Sequence, residues 1–296
     1  MHDLRVSEIE SQINQFFEAE TTKALAKATK DAYKGVCYKQ LLPFCKRHGI
    51  TRLDDSFNAF MDKYAISIRE RGISAQTTRS YLTTSKLLFR FHDITIKHTY
   101  RIPRADKQKN DLKHEMRWFS GEEIALCKTY KFPKRHTRNH LLVRILVETG
   151  ARVDEVAHIR VCDIRLESKT ILISHSKTIP RPVFISPESA IYMKQYLAQS
   201  FPDPHKDAFK RIFPGKNMMY KIIVAMLSDL GLKTPNDGRG PHTFRHYTAT
   251  NLRYNMNMDL DHVARLLGDT PETISTRYLH PTAGMLQNLV NKASGY

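Results

Sequence analysis

The chain has 296 residues, of which 41% are apolar, so it is long enough for two domains with buried cores. Its formal net charge of +17 indicates a polyanionic partner, and nucleic acid fits better than a membrane surface because no basic amphipathic helix stands alone. No signal-peptide core and no run of about 18 apolar residues occurs, which predicts a cytosolic protein without a membrane segment. The four cysteines form no CxxC pair, which predicts reduced thiols and no zinc site.

Residues 1–96 predict a helical domain, because apolar side chains recur at helical spacing in successive stretches. Gly49 and Gly72 mark the ends of two of these helices, and Ser74 can cap the next. The apolar positions are Ile9, Ile13, Phe16 and Phe17; Tyr33, Val36, Cys37, Leu41 and Phe44; Phe57, Phe60, Met61, Tyr64 and Ile68; Tyr81, Leu82, Leu87, Leu88 and Phe91. This pattern predicts a bundle of four or five helices.

Residues 97–117 predict a linker, with few apolar residues and seven Lys or Arg against three acids. A basic linker can lie along a phosphate backbone, although a plain solvated connector fits equally well.

Residues 118–296 predict a second, mainly helical domain. Ser120, followed by two glutamates, signals a helix start, and an apolar helix face over residues 141–146 ends at Gly150. The segments 169–174 and 181–186 predict a pair of antiparallel strands. Further helices are predicted at 187–200, 216–230, 242–255, 259–267 and 271–279.

Four side chains in this second domain carry the chemistry of phosphate cleavage. Arg152 follows Gly150 at a helix start, where free N–H groups favour phosphate and a guanidinium can bind two phosphate oxygens. His242 and Arg245 share one helix face, so they can meet one phosphate. Tyr278 can attack phosphorus when cationic groups favour its phenolate. Each residue alone also fits an ordinary surface or core position, and His242 with His246 also has the spacing of a zinc pair.

In this order and spacing, the residues resemble the catalytic set of the tyrosine recombinase (phage integrase) family, which runs Arg–Lys–His–Arg–His/Trp–Tyr. The matching positions are Arg152, Lys177, His242, Arg245, Asp269 and Tyr278. The resemblance implies a mainly α fold. A helical core-binding domain would join an α-rich catalytic domain with a small antiparallel β-sheet, and the two would form a C-shaped clamp around DNA.

Asp269 departs from the family pattern, which has His or Trp here. An ionised aspartate only accepts hydrogen bonds and repels a phosphate oxygen. Three interpretations remain open: Asp269 turns away and orients Arg245 or His246, it is protonated, or the enzyme is slow and needs a partner. Glu155 resembles the family acid that braces this site.

The resemblance implies site-specific strand exchange through a 3′-phosphotyrosyl link and a Holliday junction, with no metal or cofactor. Lys177, at a hairpin tip, would protonate the leaving 5′ oxygen. The implied partners are double-stranded DNA at a specific recombination site, three further copies of the chain in a homotetramer on two duplexes, and an accessory or directionality protein. The implied location is the nucleoid.

Several biological roles fit this chemistry. They are integration and excision of a mobile element, dimer resolution and cointegrate resolution. No arm-binding domain is evident at the start of the chain, which favours a simple recombinase. An apolar tail after Tyr278 predicts either a contact with a neighbouring copy or packing on its own domain. The alternatives are a type IB topoisomerase and a DNA-binding protein with a degenerate site.

Overall fold

The computed structural model describes residues 3–97, 101, 118–176, 178–235 and 237–293. The chain divides into two compact units, Met1–Asp111 and Leu112–Tyr296, and each has its own hydrophobic core. Most of the predicted linker lies outside the described residues. The clamp around DNA and the DNA-binding role of the first unit stay predictions.

The first unit is helical, as the spacing of its apolar residues predicted. Its core contains the aromatic side chains of Phe57, Tyr64 and Phe89, each at most 1% exposed. Ser74 accepts a hydrogen bond from the Thr77 amide (3.1 Å) and begins the last helix, as predicted. The elements are Asp3–Glu18, Glu20–Lys23, Lys27–Val36, a π-helical turn Cys37–Leu41, Leu42–Arg47, a 3-10 turn Asp55–Phe60, Met61–Arg69 and Ala75–Phe91.

The second unit combines helices with a three-stranded antiparallel sheet in the order β1 (Ile164–Arg165), β2 (Thr170–Ile173) and β3 (Arg181–Phe184). The predicted pair of strands is confirmed as β2 and β3, with Ile171 opposite Val183 in the buried face. Strand β1 was not predicted, because two residues are too few for an alternating pattern to show.

The helical elements of the second unit mostly follow the predicted ranges. They are Gly121–Thr129, His136–Thr149, Val153–Val156, a 3-10 turn Val161–Asp163, Pro187–Ser200, Pro204–Asp207, Lys216–Asp229, Pro241–Thr250 with a π-helical turn Asn251–Asn255, Leu260–Leu267, Pro271–Thr273 with a π-helical turn Ile274–Tyr278, and Ala283–Ala293. No helix in these described ranges, or in those of the first unit, is long and apolar enough to cross a bilayer.

The helix His136–Thr149 forms the centre of this unit. The sequence predicted one apolar face, but the helix is buried on nearly all sides, including the charged side chain of Arg144. Arg144 donates hydrogen bonds from Nε to Ser189 (2.7 Å) and from Nη2 to Glu188 (2.5 Å), so its charge is satisfied inside the fold.

Two glycines allow three segments of the second unit to approach closely. Gly150 has φ +59°, and a Cβ there would lie 2.4 Å from Leu267 Cδ2. Gly268 has φ +66°, and its Cβ would lie 2.4 Å from Arg181 Nη1. Both positions therefore require glycine for conformation and for space. The segments that follow these glycines carry Arg152 and Asp269.

The four cysteines are free thiols in different surroundings. Cys37, Cys45 and Cys127 are buried, whereas Cys162 is exposed. Burial raises the pKa of each of the three buried thiols to about 12, so they stay protonated at neutral pH.

Candidate active site

Two arginines from distant segments converge on one carboxylate oxygen. Arg152 lies just after the central helix, and Arg245 lies on the helix Pro241–Thr250. The Nη2 atoms of Arg152 and Arg245 lie 2.5 Å and 2.9 Å from Oδ2 of Asp269. The structure therefore brings together the two arginines that the sequence assigned to one phosphate.

Arg245 is held deep in the fold, with only 1% of its surface exposed. Its Nη1 donates to the carbonyl oxygens of Gly150 and Leu267, both at 2.9 Å. Burial lowers the pKa of this guanidinium, while the carboxylates of Glu155 and Asp269 oppose that shift. Its Nε is buried without a hydrogen-bond partner among the described residues. This N–H of the buried cation therefore has no acceptor within the described part of the chain.

Arg152 precedes a single helical turn, Val153–Val156, and is capped by Glu155. The Arg152 amide donates to Glu155 Oε2 (2.8 Å), and Arg152 Nη1 donates to Glu155 Oε1 (3.1 Å). The sequence predicted free N–H groups for phosphate at this helix start. In the structure the Glu155 carboxylate already accepts from the first of these amides, that of Arg152, and the guanidinium is a further group that can meet an anion.

Glu155 is the acid that holds these basic groups in place. It is 3% exposed, and it also accepts hydrogen bonds from Ser176 Oγ (2.9 Å) and from Nη1 (3.2 Å) and Nη2 (2.9 Å) of Arg181. Burial alone would raise the pKa of Glu155, but Arg181 and the other donors lower it to about 2. The acid is therefore ionised at neutral pH.

Arg181 is a site residue that sequence reasoning missed. It begins strand β3, shares the buried face with Val183 and is only 6% exposed. Its Nε donates to the Leu266 carbonyl (2.9 Å), next to the turn that carries Asp269. The sequence did contain a signal. Arg181 occupies a position of the strand whose side chain faces the core, where an unpaired charge would be costly.

Asp269 lies inside the site rather than at its edge. Its side chain is 11% exposed, and one of its oxygens accepts hydrogen bonds from both arginines. One interpretation of this departure had the acid turn away and orient Arg245 or His246. The turning away is wrong, because the carboxylate faces both arginines. The structure places it against Arg245 and, in addition, against Arg152, which no interpretation anticipated.

Tyr278 ends the π-helical turn Ile274–Tyr278, and its ring lies beside the buried cation. The guanidinium carbon of Arg245 is 4.7 Å from the Tyr278 ring centroid. The Tyr278 carbonyl accepts a hydrogen bond from Thr250 Oγ1 (3.2 Å), which ties this turn to the helix that carries Arg245.

An aromatic cluster contacts the Tyr278 ring through His246. The His246 ring lies 4.8 Å from the Tyr278 ring, and Trp118 stacks on His280 at 3.8 Å with 7° between the planes. Trp118 also lies 4.0 Å from His246. Sequence reasoning assigned no role to Trp118 or His280, because nothing in the local pattern relates position 118 to positions 246–280.

Of the two remaining predicted site residues, the structure describes His242 but not Lys177. His242 is exposed in the first turn of its helix, one turn before Arg245. Lys177 lies outside the described residues, but both neighbours contact the site. Ser176 donates to Glu155, and Thr178 Oγ1 donates to the Gly268 carbonyl (2.9 Å).

One group of side chains near the site has the residue types of a metal site. Ligand atoms of Asp154, His158 and His175 all lie within 4.8 Å of one another. However, Lys216 Nζ lies 3.5 Å from Asp154 Oδ1, so a side-chain cation already accompanies this carboxylate. The imidazoles of His158 and His175 stack at 3.8 Å.

The phage integrase family model matches residues 122–285, which is more than half of the chain, and this range contains the positions of all six predicted site residues. Tyrosine recombinase XerA of Saccharolobus solfataricus is 25% identical over 76% of this chain and 70% of its own. Tyrosine recombinase XerD of Staphylococcus aureus is 23% identical, and the match covers 91% of this chain and 93% of XerD. The fold resembles that of the Tn1549 transposon integrase in complex with circular intermediate DNA, with a TM-score of 0.70 at 14% identity, covering 96% of this chain and 99% of that one. The chain belongs to the phage integrase family of tyrosine recombinases.

Proposed function

We propose that this tyrosine recombinase cleaves DNA with Tyr278 and binds the scissile phosphate with Arg152 and Arg245. The carrying observation is that both guanidinium groups converge on one anionic oxygen, with the Tyr278 ring 4.7 Å from the Arg245 guanidinium carbon.

The reaction divides between these residues as follows. The Tyr278 hydroxyl attacks phosphorus, its proton passes to His242, and the bond from phosphorus to the 5′ oxygen breaks. Lys177 protonates that oxygen, which leaves a 3′-phosphotyrosyl link and a free 5′ hydroxyl. Arg152 and Arg245 stabilise the charge that builds up on the non-bridging oxygens. Their positions are preset by hydrogen bonds to the protein, which strengthens this effect.

Strand exchange follows from the reverse step. The 5′ hydroxyl of a second duplex attacks the phosphotyrosine, so the energy of the broken bond is conserved in the protein–DNA link. Cleavage on two duplexes requires four copies of the chain around a Holliday junction. Integration and excision of a mobile element, dimer resolution and cointegrate resolution all use this chemistry, with an accessory or directionality protein setting the outcome.

Covalent trapping on nicked duplexes tests the assignment. Duplexes tiled across the DNA that flanks the gene would be incubated with native protein, with Tyr278→Phe and with the matched control Tyr254→Phe. The native chain and the control should form a protein–DNA adduct that survives denaturant, and Tyr278→Phe should bind without forming it.

Each other outcome would contradict the assignment in its own way. An adduct from Tyr278→Phe would remove Tyr278 from the mechanism. Binding by the native chain with no adduct on any duplex would favour a DNA-binding protein with a degenerate site. Adduct formation with relaxation of supercoils, but without joined duplexes, would favour a topoisomerase.

A further inference from the structure

We propose that Trp118 is a positioning residue of this active site. Its indole holds the imidazoles of His246 and His280, and through them it keeps the Tyr278 ring against Arg245. The inference rests on the proposed function, because it takes Tyr278 as the nucleophile.

The stacking geometry is the first observation. Trp118 and His280 lie 3.8 Å apart and nearly parallel at 7°, and Trp118 and His246 lie 4.0 Å apart at 34°. The two imidazoles are only 5.3 Å from each other, so they lie side by side on the indole rather than on opposite faces of it. One large rigid ring system therefore sets the position of two smaller ones.

The backbone around Trp118 is fixed, which makes the indole a suitable support. The Trp118 carbonyl accepts a hydrogen bond from Arg239 Nη2 (3.3 Å). The next residue, Phe119, packs on Phe244 with ring centroids 5.1 Å apart. Ser120 then begins a helix through a capping box with its side chain bound to the Glu123 amide (3.1 Å). These contacts hold the backbone from Trp118 to Ser120 in place.

The same cluster reaches Tyr278 by two routes. His246 follows Arg245 on one helix, and the Tyr278 ring contacts both, at 4.8 Å from the imidazole and 4.7 Å from the guanidinium carbon. In addition, Thr250 Oγ1 donates to the Tyr278 carbonyl and accepts from the His280 amide, both at 3.2 Å. A shift of the His246 imidazole, or of the His280 backbone that carries the second imidazole, would therefore move the nucleophile relative to the phosphate-binding arginine.

Tyr278 depends on such support because of its backbone. It closes a π-helical turn, Ile274–Tyr278, and the chain leaves it in an extended conformation at Leu279. The last bond of the turn runs from the Leu279 amide to the Ile274 carbonyl (3.2 Å). The position of the Tyr278 ring is therefore set by its side-chain contacts. A near-attack geometry requires the reacting atoms within about 3.5 Å, so a displacement of the order of an ångström slows the chemical step.

Three replacements of Trp118 separate positioning from the filling of space. Trp118→Phe keeps an aromatic face, Trp118→Leu keeps apolar volume, and Trp118→Ala removes both. Phe209→Ala serves as a control, because Phe209 is a 74% exposed aromatic residue outside the cluster. Each full-length variant would be assayed for adduct formation in a single turnover at saturating nicked duplex, for DNA affinity by gel shift, and for its thermal unfolding midpoint.

We expect Trp118→Ala to cleave about tenfold to a hundredfold more slowly at saturating DNA, because the loss of both ring contacts lets the Tyr278 ring leave the geometry of attack. DNA affinity should change by less than about twofold, because stacking inside the protein adds no phosphate contact. Trp118→Phe should recover most of the rate and Trp118→Leu should not.

Two results would overturn the inference. One is a native cleavage rate in Trp118→Ala, and the other is equal rates for Trp118→Leu and Trp118→Phe, which would show that only volume matters. The comparison of Leu with Phe still decides if the alanine variant does not fold. If native protein forms no adduct on any duplex, the proposed function fails, which is a distinct result from an adduct that is indifferent to Trp118.

Discussion

Replacing Glu155 with glutamine tests whether a buried charge organises the active site. Glu155 accepts hydrogen bonds from the amide and Nη1 of Arg152, from Ser176 and from both Nη atoms of Arg181. Glutamine keeps the shape, but it removes the negative charge and turns one oxygen into an N–H donor that faces a guanidinium.

The magnitude follows from the pKa of Glu155, which the surrounding donors lower from 4.5 to about 2. A shift of one pKa unit corresponds to 1.36 kcal/mol, so ionised Glu155 contributes about 3 kcal/mol to the free energy of unfolding at neutral pH. Because the folded pKa is depressed, this contribution is complete above about pH 4.5 and disappears as the pH falls to about 2. The variant should therefore be less stable at pH 7 and nearly equal to native protein at the acid end.

Urea unfolding of the full-length chain, followed by tryptophan emission, measures this difference. The single tryptophan, Trp118, lies in the second unit, so its signal reports on the unit that contains Glu155. Glu188→Gln is the matched control. It removes the charge of a carboxylate that pairs with Arg144 but is 61% exposed, so its effect should stay below about 1 kcal/mol. An equal effect of the two substitutions, or a Glu155→Gln effect independent of pH, would refute the reasoning.

Two further substitutions test the packing and the charge of the site. Gly268→Ala should destabilise the second unit by more than about 2 kcal/mol, because the new Cβ would lie 2.4 Å from the ion-paired Arg181. Gly231→Ala, with a similar φ of +68° and open space, should cost only the smaller backbone term in the same urea titration. Asp269→Asn should lower the unfolding free energy by about 1–3 kcal/mol and tighten DNA binding in gel shifts, because two guanidinium groups lose their shared carboxylate. Unchanged stability together with unchanged affinity would show that this carboxylate neither supports the arginines nor competes with phosphate.

The sequence predicted the helices well because their signals are local. Ser74 and Ser120 cap helices where the pattern placed them, and Gly150 ends the central helix. The strands β2 and β3 were also recognisable from alternating apolar residues. Strand β1 and the π-helical turns escaped prediction, because a two-residue strand and one extra residue in a helical turn leave no periodic trace.

The sequence predicted several residues of the candidate site, but not which side chains contact each other. A known order of residue types identified Arg152, Arg245 and Tyr278. The carboxylate that joins both arginines lies 117 residues after Arg152, and no local pattern relates positions so far apart. Trp118 escaped notice for the same reason, since its partners lie more than a hundred residues later in the chain.

The uneven burial of the thiols gives the protein a ready attachment point. Only the thiolate form of cysteine is an effective nucleophile, and Cys37, Cys45 and Cys127 are both buried and held protonated by their high pKa. Cys162 is exposed on the second unit. A maleimide dye should therefore label the native chain at one position without any engineered cysteine. Two differently labelled copies on one DNA site would then report subunit assembly by energy transfer.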